Sequence, residues 1–193
     1  MRVGIIDVPG HEKFIKNMLS GVCGMDIIIL VVAADEGIMA QTKEHLDILN
    51  LIGIKNGIIA LTKCDLVDTD WIELVKLDIS DEVKGTFLED ARIIEISSTE
   101  KIGIDILKKE IIRIVDTLPE KDLNSIPRLY VDRSFSITGF GTVVTVTLIS
   151  GTLKIDDELL IYPENKLTKV RNLQVHDSNV NTAFAGQRVA INL

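Results

Sequence analysis

The chain has 193 residues, 46% of them hydrophobic and 26% charged, and its formal net charge is −8. This length can bury the core of one large domain or of two small ones, and no apolar run reaches the roughly 20 residues of a membrane-spanning helix. The acidic balance argues against a general nucleic-acid-binding surface, so any RNA or phosphate has to be bound by local groups.

The two cysteines, Cys23 and Cys64, fall in different segments, and neither has a second metal ligand at a typical spacing nearby. The first residues lack the charged and apolar segments of a secretory leader. Together these features indicate a reducing, cytoplasmic environment.

Short apolar runs alternate with stretches of helical period up to about Leu118. The runs are apolar on successive residues, which is typical of strands buried on both faces of a parallel sheet. They are RVGIID, DIIILVVAAD, GIIALTKCD and RIIEISS.

A predicted helix follows each of these runs. The four helices are EKFIKNMLSG, QTKEHLDILNLIG ending at Gly53, one that starts near Trp71 with Asp70 and Glu73 as a capping box, and GIDILKKEIIRIVDTL. Four strands that are each followed by a helix predict an open α/β sheet over residues 1–118.

The pattern changes after the polar segment 119–126, which we interpret as a linker. The segments RLYVDRSFSI, GTVVTVTLIS, ELLIY, KVRNLQVH and RVAINL are rich in Val, Ile, Thr and Tyr and are separated by Gly, Asp and Asn. No helical stretch intervenes. Residues 127–193 are therefore predicted to form a second, all-β domain, a small closed barrel.

Polar residues follow three of the four predicted strands, at the positions where open parallel sheets bind ligands. After the first strand comes the segment Asp7, Val8, Pro9, Gly10 and His11, in which an acid and a histidine flank a Pro-Gly turn. Thr62, Lys63, Cys64 and Asp65 follow the third strand, and Ser97, Ser98 and Thr99 follow the fourth.

Each cluster taken alone has an ordinary structural explanation. Asp-Val-Pro-Gly is a good turn sequence, Lys63 and Asp65 can be a solvated surface pair, and two adjacent serines can cap a helix. Three polar clusters at one edge of one sheet are much less easily explained by coincidence. The arrangement therefore favours a ligand-binding edge.

The segments DVPGHEKFIKNM, AADEGIMAQTKEHL and TKCD resemble the translational GTPases, the family that includes elongation factor Tu. The later segments RSFSITGFGTVVT and AGQRVAINL are similar to the β-barrel second domain of that family. Two details favour its selenocysteine-specific (SelB-type) branch. Thr62 stands where most relatives have Asn, and an Asp132-Arg133 pair precedes SFSI.

The resemblance implies a partial P-loop GTPase domain that binds GTP or GDP with Mg²⁺, and a role in delivering selenocysteinyl-tRNA to the ribosome. It implies that Asp7 holds Mg²⁺ through a water and that the backbone of Gly10, which has no Cβ, approaches the γ-phosphate. His11 would be the catalytic residue that orients the attacking water.

The resemblance also implies guanine recognition at the third strand end. Asp65 would accept the two adjacent N–H groups on the edge of guanine, and the aliphatic stem of Lys63 would lie along the purine face. Thr62 would brace the neighbouring loop, and Ser97 with Ser98 would border the base.

The barrel offers a further candidate site. The guanidinium of Arg133 beside Asp132 is suited to an anionic selenolate, the form that selenocysteine takes at neutral pH. The alternative, that this pair only ties two strands together, carries equal weight. His45 and His176 are predicted to be structural or surface histidines.

No segment matches the phosphate-binding loop G-x-x-x-x-G-K-[ST], which in the family follows the first strand. We therefore expect a truncated chain that lacks that strand and loop, and also lacks the later domains. Alone it should bind GTP weakly or not at all and hydrolyse none measurably. Ala40 replaces a usual Pro, which should only loosen a turn, and Val146 replaces a usual Gly, which argues against close ligand approach there.

Two other functions stay open. One is another translational GTPase of the elongation factor Tu or initiation-factor type, and the other is a non-catalytic binding module. The acidic charge argues against general RNA affinity. The protein is expected to be a monomer with no membrane association.

Overall fold

The computed structural model describes residues 3–8, 24–139 and 141–193. The chain divides into two compact units, one containing Met25–Leu118 and the other Pro119–Leu193. No helix in these described segments is long and apolar enough to cross a membrane.

The described part of the first unit is a three-stranded parallel sheet with helices. Its strands are β1 (Ile28–Ala33), β2 (Gly57–Thr62) and β3 (Ile93–Glu95), in the order β1-β2-β3. Its helices are α1 (Ala40–Ile52), α2 (Thr69–Glu82) and α3 (Ile104–Val115), and a 3₁₀ turn spans Cys64–Leu66. Because the strands are parallel, their carboxyl ends meet at one edge.

The central strand β2 contributes residues to both buried clusters of this unit. Ile59 and Leu61 belong to one buried cluster with residues of α1 and α2, while Ile58 and Ala60 belong to a second cluster with α3. Alternate residues of a strand point to opposite faces, so β2 is buried on both faces. The predicted parallel sheet with flanking helices is confirmed.

The predicted C-terminus of α1 is confirmed, whereas the predicted N-terminal cap of α2 is wrong. Helix α1 ends at Gly53, as predicted, in a left-handed conformation with φ 84°. The predicted capping residue of α2 is wrong, because Asp70 lies inside the helix. The cap is Asp68, whose side chain accepts a hydrogen bond from the Trp71 N–H at 2.8 Å.

The predicted first strand is also wrong. Residues 3–8 have no regular structure, and the side chains of Val3 and Ile5 are 49% and 89% exposed. A strand is stable only when a neighbour takes up its backbone hydrogen bonds, and no described strand pairs with this segment. The helix predicted at 12–21 lies outside the described residues.

The second unit contains nine strands in its described residues. They are β4 (Arg128–Ile137), β5 (Gly141–Ser150), β6 (Thr152–Lys154), β7 (Glu158–Ile161), β8 (Lys166–Lys169), β9 (Asn172–Val175), β10 (Ser178–Val180), β11 (Thr182–Phe184) and β12 (Arg188–Asn192). Five form an antiparallel sheet in the order β10-β9-β12-β5-β4, and β11-β6 and β7-β8 form two smaller ladders.

One face of the five-stranded sheet covers a fully apolar core. Val146, Leu148, Leu173 and Ile191 are completely buried in it. Val146, at the usual glycine position, therefore points into the core. The predicted strand KVRNLQVH contains the last residue of β8 and all of β9. The strand is divided because the backbone of Val170 still bonds to the chain before β7, at Asp156 and Asp157, whereas the Arg171 N–H donates to the Asn192 carbonyl of β12. The fold is barrel-like, as predicted.

Candidate functional site

Three loops meet at the carboxyl edge of the parallel sheet. The loop after β1 begins at Ala34, whose N–H donates to the Thr62 carbonyl at 2.8 Å. In the loop after β2, the Cys64 N–H donates to the carbonyl of Ile96, just after β3, at 3.3 Å. The structure thus brings together the polar residues predicted at the ends of β2 and β3.

Asp65 is held by hydroxyl groups from the loop after β3. The Thr99 hydroxyl donates to Asp65 Oδ2 at 3.1 Å, and the Oγ of the buried Ser97 lies 3.0 Å from Thr99 Oγ1. The Glu100 N–H also donates to Ser97 Oγ, at 3.1 Å. The Ser97 hydroxyl, and to a smaller extent that of Thr99, hold the pKa of the Asp65 carboxyl below its ordinary value. Asp65 is therefore ionised at neutral pH.

Lys63 is held on the other side, by the loop after β1. Its ammonium Nζ lies 3.0 Å from Asp35 Oδ2 and 3.1 Å from Glu36 Oε1. Hydrogen bonds to these two carboxylates raise the pKa of Lys63, so its ammonium is fully charged. Sequence reasoning missed both acids, and the only available signal was their position directly after a strand of the same sheet.

The other predicted residues of these two loops have different surroundings. The Thr62 hydroxyl donates to the Val32 carbonyl at 3.2 Å, which braces the neighbouring strand β1. The half-buried Cys64 thiol donates to the Leu61 carbonyl at 3.1 Å, and burial raises its pKa. Ser98 is exposed.

The first predicted cluster is only partly described. Asp7 and Val8 lie in the irregular segment 3–8, with Asp7 exposed. Pro9, Gly10 and His11 lie outside the described residues. In the described part of the chain, no three His, Cys, Asp or Glu side chains form a group that could hold a metal ion.

The remaining histidines lie away from these loops in the chain. His45 is half-buried on α1. His176 is exposed in the tight turn between β9 and β10, where its φ is 49°.

In the barrel unit, Asp132 pairs with Arg188 of β12 rather than with its neighbour Arg133. Asp132 is the extra residue of a β-bulge, because the register of β4 shifts between Val131 and Arg133. Its Oδ2 accepts from Arg188 Nη2 at 2.8 Å, and its side chain is only 6% exposed, against 32% for Arg188. Of the predicted residues, Asp132 therefore joins β4 to β12 through Arg188, and Arg133 is exposed.

This buried pair has unused hydrogen-bonding groups. Asp132 Oδ1, Arg188 Nη1 and the hydroxyl of Thr145 are buried and have no hydrogen-bond partner in the described part of the chain. Buried polar groups are normally satisfied. Three unsatisfied groups on adjacent strands therefore mark a place suited to a polar or charged ligand group.

Strand pairing shows which residues lie on the same face of the five-stranded sheet as Arg188, which we call the polar face. Arg188 lies opposite Thr147, which in turn lies opposite Tyr130, and Arg133 lies opposite Thr145. Tyr130 is 58% exposed. Arg188 was missed from the sequence, although its alternation with the buried Val189 and Ile191 could have placed it on the polar face.

Family models match both units of the chain. The model described as "Elongation factor Tu GTP binding domain" matches residues 1–121. The chain belongs to the elongation factor Tu GTP-binding domain family. The model described as "Elongation factor Tu domain 2" matches residues 141–193, which confirms the resemblance to translational GTPases in both units.

Similar proteins in this family are much longer. The selenocysteine-specific elongation factor of Desulfomicrobium baculatum is 49% identical over 193 residues, which make up 100% of this chain and 30% of that protein. The translation initiation factor 2 subunit gamma of Thermococcus onnurineus is 37% identical over 210 residues, covering 98% of this chain and 51% of that protein. The higher identity favours the selenocysteine-specific branch.

A solved structure shows the same fold. Translation elongation factor SelB from Methanococcus maripaludis, in complex with the GTP analogue GPPNHP, superposes with a TM-score of 0.87 at 35% identity. The match covers 96% of this chain and 41% of that chain.

Proposed function

We propose that this chain is part of a GTP-binding translation elongation factor that delivers selenocysteinyl-tRNA to the ribosome, with GTP hydrolysis in the complete protein. One observation carries the nucleotide function. At the end of β2, Lys63 is hydrogen-bonded to the loop after β1, and Asp65 is hydrogen-bonded to the loop after β3. The 49% identity to a selenocysteine-specific elongation factor supports the selenocysteine-specific part.

Asp65 is suited to recognise the edge of guanine. An ionised carboxylate is a hydrogen-bond acceptor only, and Asp65 Oδ2 is already engaged by one hydroxyl donor. Its remaining lone pairs can accept the two adjacent N–H groups of guanine, which adenine does not present. Hydrogen bonds to an ionised group are stronger than those between neutral groups, so this contact favours guanine over adenine.

Phosphate and Mg²⁺ binding do not follow from the described residues. Asp7, the carboxylate predicted to hold Mg²⁺, is exposed. Among the described residues, no three His, Cys, Asp or Glu side chains form a metal-binding group. Mg²⁺ binding through Asp7, approach of the Gly10 backbone to the γ-phosphate and catalysis by His11 therefore stay predictions from the resemblance. The same holds for the GTP-binding role of Val8 and Pro9.

The polar face of the barrel is our proposed site for the aminoacyl end of the tRNA. Arg188 carries a buried N–H without a hydrogen-bond partner in the described residues, and Arg133 adds an exposed positive charge on the same face. A guanidinium favours an anion such as a selenolate over the neutral hydroxyl of serine. Asp132 orients Arg188 through their ion pair.

The proposed partners, location and oligomeric state follow from this role. Selenocysteinyl-tRNA, the ribosome and guanine nucleotides are the proposed partners, and the proposed location is the cytoplasm. We propose that the protein acts as a monomer.

Base selectivity tests the nucleotide function. The chain is titrated with GDP and with ADP up to millimolar concentration, and binding is followed by ligand-observed NMR. We expect GDP to bind at least about tenfold more tightly, and Asp65→Asn to remove the preference. Equal binding of the two nucleotides would contradict guanine recognition and favour a non-catalytic binding module.

A comparison of two charged forms of one tRNA tests the barrel site. We expect a gel shift at low salt with selenocysteinyl-tRNA to exceed that with seryl-tRNA, and Arg188→Met to remove the difference. Arg171→Met, which removes an exposed arginine between β8 and β9, is the matched control. Equal binding of many aminoacyl-tRNAs would favour another translational GTPase, and no shift at any ratio would contradict tRNA binding.

A further inference from the structure

The loop after β1 supplies two carboxylates to one lysine. Asp35 and Glu36 both lie within hydrogen-bonding distance of Lys63 Nζ, at 3.0 and 3.1 Å. We infer that Asp35 and Glu36 are positioning residues that hold the Lys63 side chain in place for stacking on a guanine base. This inference rests on the nucleotide function proposed above.

The two carboxylates stand on a loop that is fixed on both sides. The Ala34 N–H donates to the Thr62 carbonyl of β2 at 2.8 Å, and the Ala34 carbonyl accepts from Trp71 Nε1 of α2 at 2.9 Å. The Glu36 N–H closes a turn onto the Ala33 carbonyl at 3.1 Å. Asp35 and Glu36 therefore present their carboxylates from a fixed platform.

The ion pairs restrict a side chain that is otherwise flexible. Lysine has a long stem with many rotamers, and the Lys63 side chain is 44% exposed. Two acceptors on one ammonium select a small part of that range. Exposed ion pairs contribute little to folding stability, so this arrangement should affect ligand binding rather than unfolding.

The two tethers draw Lys63 and Asp65 toward opposite sides of β2. Lys63 is drawn toward the loop after β1, while Asp65 is drawn toward Thr99 after β3. Neighbouring strands lie about 4.8 Å apart, so the two tethers are separated by about two strand spacings. This separation leaves room for a base whose edge meets Asp65 to lie against the stem of Lys63, which is the contact that stacking requires.

Removing the carboxylates distinguishes positioning from simple electrostatics by the sign of the effect. The double variant Asp35→Asn with Glu36→Gln removes two negative charges. The weaker electrostatic repulsion alone then predicts tighter binding of the anionic GDP. Loss of positioning predicts weaker binding. We expect the GDP affinity to fall by about three- to tenfold, the scale of one preorganised side chain.

A charge-matched control separates local from general effects. Asp81→Asn with Asp90→Asn removes the same charge from two exposed positions, one in the last turn of α2 and one just before β3. Asp81 also pairs with a lysine, Lys84, at 2.7 Å. We expect this control to bind GDP at least as tightly as the wild type. The swap Asp35→Glu with Glu36→Asp keeps both charges and should retain most of the affinity.

A double-mutant cycle with Lys63→Met completes the test. In that background, the loss of both carboxylates should not weaken GDP binding any further. The inference is overturned if the carboxylate variant binds GDP as tightly as the wild type, or if its effect persists without Lys63. A wild type that binds neither GDP nor guanosine at millimolar concentration would instead contradict the guanine site itself, and this inference with it.

Discussion

Gly103 is a position where one added methyl group would collide with the backbone. It is the N-cap of α3, with φ 76°, and a Cβ at this position would lie 1.9 Å from the Glu95 carbonyl oxygen. Because the obstacle is the backbone of Glu95, the last residue of β3 and paired with Leu61 of β2, no side-chain rotation relieves it. Gly103→Ala should therefore displace α3 from the sheet.

The expected destabilisation has two contributions. A left-handed conformation costs a non-glycine residue about 1–2 kcal/mol, and forcing a packed region to shift costs about 1–3 kcal/mol more. Gly53 at the end of α1 provides the matched control, because it has φ 84° and nothing within 4 Å of its added Cβ. Gly53→Ala should show only the first contribution, so the two variants should differ by about 1–3 kcal/mol.

The assay uses the single tryptophan of the chain, Trp71. It lies in α2 and donates to Ala34, so its fluorescence reports the unfolding of the first unit. Urea unfolding is followed for the wild type, Gly103→Ala and Gly53→Ala. Equal destabilisation of the two variants would refute the close approach of Gly103 to Glu95.

Three further predictions concern capping, pH and nucleotide binding. Asp68→Ala removes the acceptor of the Trp71 N–H and should lower the unfolding free energy by about 1 kcal/mol, whereas Asp70→Ala should have little effect; equal effects would contradict the assigned cap. Hydrogen bonds from Arg113 hold the pKa of the buried Glu110 carboxyl below its ordinary value, so its stabilisation is complete above about pH 4.3 and is lost as the pH falls through the lowered pKa. Glu110→Gln should flatten that acid limb in a pH series of urea unfolding, and an unchanged limb would contradict this account. Titration with a fluorescent GTP analogue in Mg²⁺ should show an affinity weaker than micromolar, with no measurable hydrolysis, because no segment supplies a phosphate-binding loop; submicromolar affinity would show this expectation to be wrong.

The hydrophobic pattern of the sequence predicted those elements of the first unit whose residues are buried. The run GIIALT is apolar on every residue but the last and forms β2, which is packed on both faces. The glycine at position 53 ends α1, because a left-handed residue is easily formed there. The polar residues after β2 and β3 also meet at one edge, since parallel strands carry their carboxyl ends to the same side.

Pattern failed where the outcome depends on a neighbour. The run RVGIID is as apolar as a strand requires, but residues 3–8 form none, because no described strand bonds to them. The choice between Asp68 and Asp70 as the cap of α2 depends on where the chain leaves the 3₁₀ turn. Both acids precede the same apolar residues, so their spacing alone does not separate them.

The sequence by itself determined the family, the alternation of strands and helices from β1 to α3, and the Thr-Lys-Cys-Asp segment at the end of a buried strand. Only the tertiary structure decided which charges meet. Lys63 pairs with Asp35 and Glu36, and Asp132 pairs across the sheet with Arg188 instead of its neighbour. An ion pair depends on strand order and register, which bring distant residues within a few ångströms, and neither property is encoded in local hydrophobic periodicity.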